Sequence, residues 1–366
     1  MAPNLGNAIR IMLSSLHGGG SVRVLSLGKE STLLLTQDDG QYEHDQDEDD
    51  SDETIELRKY LEDVTAAMKS SNNDSKVDEF FNERLSQMVY GSNMIESVGG
   101  SLEITVKLCQ PIFEGQYAAI SDPTYQVLQM KLIKKNKSSG HEDTLRSWRE
   151  IIQHAKATYY IMNEVVIKGN DLSEEIILET HRLLTYKINS PDGIPWSEYG
   201  GIYRTCPVQR GFHSFPHQNG VPKAVRDLTS SLKADIAEAE ASGAIDPVAL
   251  AAKYCHKFVN IHPFFDGNSR TSRLILNSIL LKYGGCFVCL GIYEEDCEEY
   301  LEVSAQGFSL EAMALQQEDL DDLPEDYRPE DHKKLATFIL KHVQKIEGIL
   351  INFLGTEELA SPTLNP

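Results

Sequence analysis

Long apolar runs are missing from this 366-residue chain. Nowhere do 18 or more uninterrupted apolar residues occur, so no membrane-spanning helix is expected. Basic residues are scarce: 34 Lys+Arg stand against 56 Asp+Glu, a formal net charge of -22. That balance excludes a general affinity for nucleic-acid backbones or anionic membranes, while a local basic site could still bind a nucleotide. Cysteines number six, too few over this length for a disulfide scaffold. The chain therefore reads as reduced and intracellular, cytoplasmic or nuclear. What is present is a soluble balance, 41% hydrophobic and 25% charged, enough to fill one large domain or two ordinary ones.

The charge is unevenly spread. Ten acids and no Lys or Arg lie between Asp38 and Glu53, and eight acids with one Arg between Glu318 and Asp331. Such runs repel themselves and bury little, so both are expected as solvated linkers. Glu30 is the first acid in the chain, after a Ser-bearing stretch with Arg10, Arg23 and Lys29. Residues 1–53 are accordingly expected as a disordered N-terminal region. The acid-poor beginning also fits a mitochondrial transit peptide.

Beyond the first linker the apolar spacing is helical. Helices are predicted over 54–70, 78–90 and 143–168, then over a segment capped by Asp171 and Ser173. More follow at 223–240, 246–262, 270–282, about 293–306 and 331–354, with Gly355 as a stop for the last. Between Pro191 and Pro222, glycines, prolines and short alternating pieces predict loops and a hairpin. The fold expected is all-α with one β-hairpin. Its divisions fall at 54–110 (N-terminal helices), 111–310 (main domain) and 311–366 (acidic linker and C-terminal helix, packing on the domain or pairing with a second copy).

Asp246-Pro247 is a strong helix start, and His262 ends the core-facing stripe that follows it. Next comes Pro263-Phe264-Phe265-Asp266-Gly267-Asn268-Ser269-Arg270-Thr271-Ser272-Arg273. This reads as a helix, a tight polar turn and a second helix with a basic first turn. Gly267 lets backbone approach a ligand, and amides at the new helix start donate to anions. Arg270 and Arg273 share a helical face. Asp266 can hold Mg²⁺ against phosphate, and His262 can act as a base near neutral pH. Together these residues describe a phosphoryl- or nucleotidyl-transfer site.

The stretch closely resembles the Fic motif, HxFx[DE]GNGRxxR, of the Fic (Fido) domain; seven of eight fixed positions agree, and Ser269 replaces a glycine. The likeness runs from roughly Asp143 to Gln306 and includes Gly201, Tyr203 and Arg204 before the hairpin. It implies a Fic-type helical bundle with N- and C-terminal helical extensions, and a protein adenylyltransferase. Such an enzyme moves AMP from ATP to a Ser, Thr or Tyr hydroxyl of a target protein. By the same resemblance His262 is the base, Asp266 the Mg²⁺ ligand, and Gly267, Asn268 and Ser269 the anion cradle. Arg270 holds phosphate and Arg273 the γ-phosphate. The hairpin from Val208 to His213 is the flap, with Gly211 and His213 near the nucleotide.

Upstream, Ser92-Asn93-Met94-Ile95-Glu96-Ser97 resembles the inhibitory pattern [ST]xxxE[GN] of Fic proteins that carry their own inhibitory helix, and implies a Glu96–Arg273 pair. The same residues also fit a helix-capping box, Asn93-x-x-Glu96. Ser269 leaves γ-phosphate transfer open, and AMP removal aided by Glu96 or a catalytically weak nucleotide-binding scaffold are the further alternatives. Cys286, Cys289 and Cys297 lack a matching second pair for zinc and read as buried thiols. His181 reads as a satisfied core histidine, and His217 as an exposed loop residue.

Overall fold

The computed structural model describes residues 3–14, 21–26, 29–43, 59, 62–63, 66, 74–116, 122–134, 136–210, 213–303 and 332–359. Most of the predicted helix at 54–70 and most of both acidic runs lie outside these residues; within 54–70, Lys59, Glu62, Asp63 and Ala66 are helical. In chain order the elements are α1 (Leu5–Ser14), β1 (Ser21–Ser26), β2 (Lys29–Leu35), α2 (Asp74–Ile95), α3 (Leu102–Phe113), α4 (Asp122–Lys134) and α5 (His141–Ile161). They continue with α6 (Glu174–Thr185), α7 (Trp196–Tyr199), β3 (Gln209–Arg210), β4 (His213–Ser214), α8 (Val221–Ser242), β5 (Ala244–Ile245), α9 (Pro247–Ile261) and α10 (Asn268–Gly284). A helix over 294–303, α11, and the long α12 (Lys333–Leu359) complete the set. None of the described helices is long and apolar enough to cross a membrane.

The centre of the molecule is α10, most of whose residues are buried, packed against α9. A helix buried all round needs apolar or internally paired side chains on every face. Here Leu274, Ile275, Leu276, Ile279 and Leu280 supply the first kind, and Asn277 the second. Asn277 Nδ2 donates to the Arg273 carbonyl, and its Oδ1 accepts from the Val288 amide. Outside this pair, α12 lies on α9 through Leu335, Phe338, Ile339 and Val343, so packing on the domain is what is seen. Its Phe353 ring stacks on Phe80 of α2 at 4.5 Å.

Three expectations are corrected. The described residues among the first 43 are not a disordered tail: α1 packs on α2 through buried Leu5, Ile9 and Leu13, and Arg10 pairs with Asp74 and Asp78 at 2.9 and 2.7 Å. β1 and β2 pair antiparallel, and β2 pairs parallel to β5, giving a small three-stranded sheet beside the helices. The low acid content that imitated a tail reflects buried strands, whose alternate residues Val22, Val24, Leu33 and Leu35 face the core. Second, α3 and α4 fall where no helix was predicted; Pro111 inside α3 masked its 12-residue periodicity. Third, Gly355 does not stop the last helix, which continues to Leu359.

The C-terminal end of α2 sits where backbone approaches backbone. A β-carbon on Gly91 would run into the Leu290 carbonyl, and one on Gly291 would lie 2.6 Å from Ile95 Cγ1. Gly91→Ala should therefore cost about 1–3 kcal/mol, the usual penalty for overpacking. Urea unfolding monitored by circular dichroism checks this; an unchanged midpoint would show that the loop at Leu290 yields freely.

Candidate active site

Asp246 caps α9 by accepting from the amides of Val248 and Ala249 at 3.1 and 3.0 Å. The helix ends at His262, which takes a left-handed conformation (φ 47, ψ 60). A non-glycine residue there carries strain and persists only where its surroundings hold it. Two groups do so. The Nε of buried Arg204 donates to the His262 carbonyl at 2.7 Å, and the His262 ring stacks on Phe215 at 4.1 Å. Arg204 also donates to the carbonyls of Cys206 and Pro216, so one guanidinium ties the turn to both ends of the β3–β4 hairpin.

The turn is braced from within. Asn268 accepts from the Phe264 amide at 2.9 Å and donates back to the Phe264 carbonyl at 2.8 Å. Its side chain is thus a strut, and only its backbone is left to contribute to an anion cradle. Gly267 has φ 81 and lies against His181, where a β-carbon would come within 3.2 Å of Nε2. Asp266 is half-buried, with Oδ1 accepting from the Gly267 amide at 2.7 Å. Immediately after it α10 begins, and its first amides, at Asn268, Ser269 and Arg270, have no partner within the helix.

His181 is satisfied, as its apolar surroundings predict. The Gly201 amide donates to Nδ1 at 2.9 Å, which leaves Nε2 as the donor to the Asp266 carbonyl at 2.8 Å. Its ring stacks flat on Phe264 at 3.6 Å. Burial lowers its pKa to about 3, partly offset by the Asp266 carbonyl and reinforced by Arg270. A neutral folded ring against an ordinary unfolded one means that acid favours the unfolded chain. The stability this ring protects is present above pH 6.5 and is lost as pH falls toward 3, by up to about 1.4 kcal/mol per pH unit. Urea midpoints at pH 7 and pH 5 should fall further for the parent than for His181→Gln; equal falls would place a charged ring in the folded state.

Both motif arginines are buried and paired. Arg270, 5% exposed, forms an ion pair with Glu150 of α5. Burial opposes its charge, but Glu150, Asp266 and Glu96 raise its pKa further. Arg273, 2% exposed, is held by α2: Nε donates to Ser92 Oγ at 2.8 Å, and one Nη donates to the Ser92 carbonyl at 2.9 Å and to Glu96 Oε1 at 2.8 Å. Burial again opposes the charge and Glu96 favours it, with a net upward shift. The Tyr300 ring of α11 lies 5.4 Å from the Arg273 guanidinium carbon.

The capping-box reading of Asn93 and Glu96 fails on position, because α2 ends there. The amides of Ser97 and Val98 close the helix onto the carbonyls of Met94 and Asn93 at 2.8 and 3.0 Å. Ser97 has φ 56, a conformation that favours Gly or Asn, the residues usual at that place in the inhibitory pattern. Asn93 donates to the Glu150 carbonyl and pairs with buried His154, so the residue between the two latch groups anchors α2 to α5.

Of the remaining predicted residues, Ser269 is half-buried in the first turn of α10. His213 lies in β4, paired with Arg210, and Gly211 falls outside the described residues. Cys286 and Cys289 are buried, with burial pushing the Cys289 thiol up to about 12. Among the described residues no three His, Cys, Asp or Glu side chains converge. Sequence reasoning missed Glu150 and Tyr300. Arg146 and Glu150 have the i, i+4 spacing of an ordinary surface pair, which hid the buried partner of Arg270. Tyr300 directly follows Glu294, Glu295, Asp296, Glu298 and Glu299, a charged stretch that has the look of an exposed helix start.

Residues 171–280 match the family model described as Fic/DOC family. Among curated proteins, the chain is 29% identical over 189 residues to a protein adenylyltransferase Fic of Culex quinquefasciatus, covering 51% of this chain and 35% of that one. It is 26% identical over 238 residues to one of Nematostella vectensis, covering 63% and 52%. The chain thus spans about a third to a half of these relatives. Two solved structures share the fold. A Fic domain containing signaling protein from Bacteroides thetaiotaomicron gives a TM-score of 0.54 at 19% identity, over 82% of this chain and 95% of that one. Fic-1 from C. elegans gives 0.50 at 21%, over 81% and 70%. Residues 171–280 of the chain thus form a Fic/DOC-type domain.

Proposed function

We propose that this protein is an adenylyltransferase that moves AMP from ATP to a Ser, Thr or Tyr hydroxyl of a target protein, and that Glu96 holds it in check. The observation that carries the reading is the single turn from His262 to Arg273. It brings a histidine, a carboxylate, a run of unspent helix amides and two arginines to one place. The names of the curated relatives support the same chemistry.

In this reading His262 takes the proton from the target hydroxyl. The oxygen then bonds to the α-phosphorus while the bond from that phosphorus to its bridging oxygen breaks. AMP remains on the target through a phosphodiester, and pyrophosphate leaves. The amides of Asn268, Ser269 and Arg270, at the positive end of α10, receive phosphate oxygens. Asp266 suits Mg²⁺: it is a hard oxygen donor beside an anion site, and that ion keeps much of its shell for phosphate and water. When bound, Mg²⁺ would neutralise charge on the pyrophosphate. The β3–β4 hairpin presents an edge to which an extended target segment can add.

Ser269 decides between AMP and phosphoryl transfer. A small side chain in the first turn leaves the backbone near the phosphates, so Ser269→Gly should keep or raise AMP transfer. Intact-protein mass spectrometry after incubation with MgATP tests the assignment. The expected adduct, on parent and Ser269→Gly alike, is one adenylate; a parent that gains only a phosphoryl group, with adenylate appearing in Ser269→Gly, would make Ser269 the cause of a reversed nucleotide.

A further inference from the structure

Behind the latch, α2 and α5 share a buried polar contact. Asn93 of α2 is 2% exposed and His154 of α5 is 1% exposed. Asn93 Nδ2 donates to the Glu150 carbonyl at 3.2 Å, and Asn93 Oδ1 lies 2.8 Å from His154 Nδ1. The partners orient every group. A carbonyl only accepts, so it holds the NH₂ end of the Asn93 amide. The other end is an oxygen, which also only accepts, so the proton of the second bond belongs to His154 Nδ1. Burial first, then Arg270 and Arg273, hold the ring's pKa well below the ordinary imidazole value. The ring is therefore neutral, and Nε2 carries no proton. That nitrogen is buried and has no hydrogen-bond partner.

An imidazole with one nitrogen unpaired at such depth is a costly core residue. An aliphatic side chain of similar size would avoid that cost. What the imidazole alone supplies is the Nδ1 proton on Asn93. The place of Asn93 gives that bond its consequence. Ser92 and Glu96, one helical turn apart, reach Arg273 from one face of α2. Asn93 lies about 100° further around the helix, and so meets α5 instead. Bonds to two neighbours on two faces fix the rotation of this last turn as well as its position. The helix end leans on Asn93 too: its carbonyl accepts from the Val98 amide at 3.0 Å, and a β-carbon on Gly99 would come within 3.2 Å of its Nδ2. Glu96 sits just beyond with a side chain 31% exposed, so the set of the turn decides how squarely its carboxylate meets Arg273.

We propose that His154 is a positioning residue for the latch: its Nδ1 proton fixes Asn93, and Asn93 fixes the turn of α2 that brings Ser92 and Glu96 onto Arg273. This rests on the role given to Glu96 above. His154 has no part in the chemistry itself and acts on ATP only through how firmly Arg273 is held. Loosening the turn favours the unlatched arrangement, in which Arg273 is open to a γ-phosphate.

Two substitutions, made in the parent and in Glu96→Gly, test the role: His154→Leu keeps the bulk and removes the donor, and His154→Asn can place an amide donor where Nδ1 stands. Protein-bound label from α-labelled MgATP and equilibrium affinity for MgATP are read on folded protein. His154→Leu should raise both at least about threefold, within the roughly 2–30-fold that residues away from either ligand exert on coupling. His154→Asn should stay within about twofold of the parent, and His154→Leu should add less than about twofold to Glu96→Gly, where no latch is left to loosen. Parental labelling and affinity in folded His154→Leu, an equal gain in His154→Asn, or a full further gain on top of Glu96→Gly would each overturn the positioning role while leaving the latch intact. A Glu96→Gly protein that gains nothing would sink the latch, and the role of His154 with it. Should His154→Leu fail to fold, Asn93→Ala, a substitution that suits a helix, carries the same expectations. Nitrogen NMR of the parent reads the bond without any substitution. His154 protonated at Nδ1 and bare at Nε2 is expected; a proton at Nε2 instead would overturn the assignment.

Discussion

Replacing His262 with alanine is expected to lower AMP transfer by roughly 10²–10⁴-fold, the usual loss when a positioned general base is removed. MgATP binding should change little, because on the proposed reading phosphate would be received by the α10 amides and the two arginines, none of which depends on the imidazole. The backbone supports that separation. Arg204 grips the His262 carbonyl and the Pro263 carbonyl, not the ring, and the Asn268 strut closes the turn on the other side. Alanine costs more than histidine in the left-handed conformation, so some stability should be lost as well. Labelled-ATP transfer and equilibrium MgATP binding, measured on the same preparation, separate the two effects. Transfer at the parental rate would remove His262 from the chemistry; loss of both transfer and binding would mean that the turn had collapsed.

Glu96→Gly should raise self-labelling at least about tenfold. Ser92 and Glu96 together engage two nitrogens of the Arg273 guanidinium, and that guanidinium cannot serve a carboxylate and a γ-phosphate equally well at once. A coupling of about 1–3 kcal/mol, ordinary for such linkage, corresponds to roughly 5–150-fold; tenfold needs about 1.4 kcal/mol. The fold should tolerate the change. Glu96 is just beyond α2, its side chain is 31% exposed, and α2 stays seated through Asn93 and the Gly91–Leu290 contact. Arg273→Ala should not reproduce the gain, because it removes the γ-phosphate contact with the latch. It also leaves Glu96 without a partner it now meets at 2.8 Å.

Much of this site was legible because its information is local. One turn carries the histidine, the carboxylate, the glycine and both arginines, and the Asp246-Pro247 start fixes where the preceding helix begins. The Glu96–Arg273 meeting spans 177 positions, and only the resemblance of the Ser92–Ser97 stretch to a known inhibitory pattern pointed to it. What stayed hidden depended on tertiary contact. Glu150 has the spacing of a surface ion pair, yet it lies under Arg270, because Ile151 and Ile152 beside it are core residues. β5 escaped notice because it is two residues long and its partner β2 lies some 210 residues away, whereas β1 and β2 form a local hairpin of ordinary strand length that the acid-poor, Ser-bearing composition disguised as a tail. α3 escaped because a proline, tolerated within it, resembles a break.

The central claim is that Glu96 restrains AMP transfer performed at the His262 turn. It is tested most directly by supplying MgATP labelled at either the α- or the γ-phosphate to four proteins: parent, Glu96→Gly, Arg273→Ala, and Glu96→Gly combined with His262→Ala. The account predicts protein-bound α-label that is weak in the parent, at least tenfold stronger in Glu96→Gly, and absent from the other two, with no γ-label in any. Folded Glu96→Gly protein that labels no faster than the parent, or label that arrives only from the γ-phosphate, would contradict it.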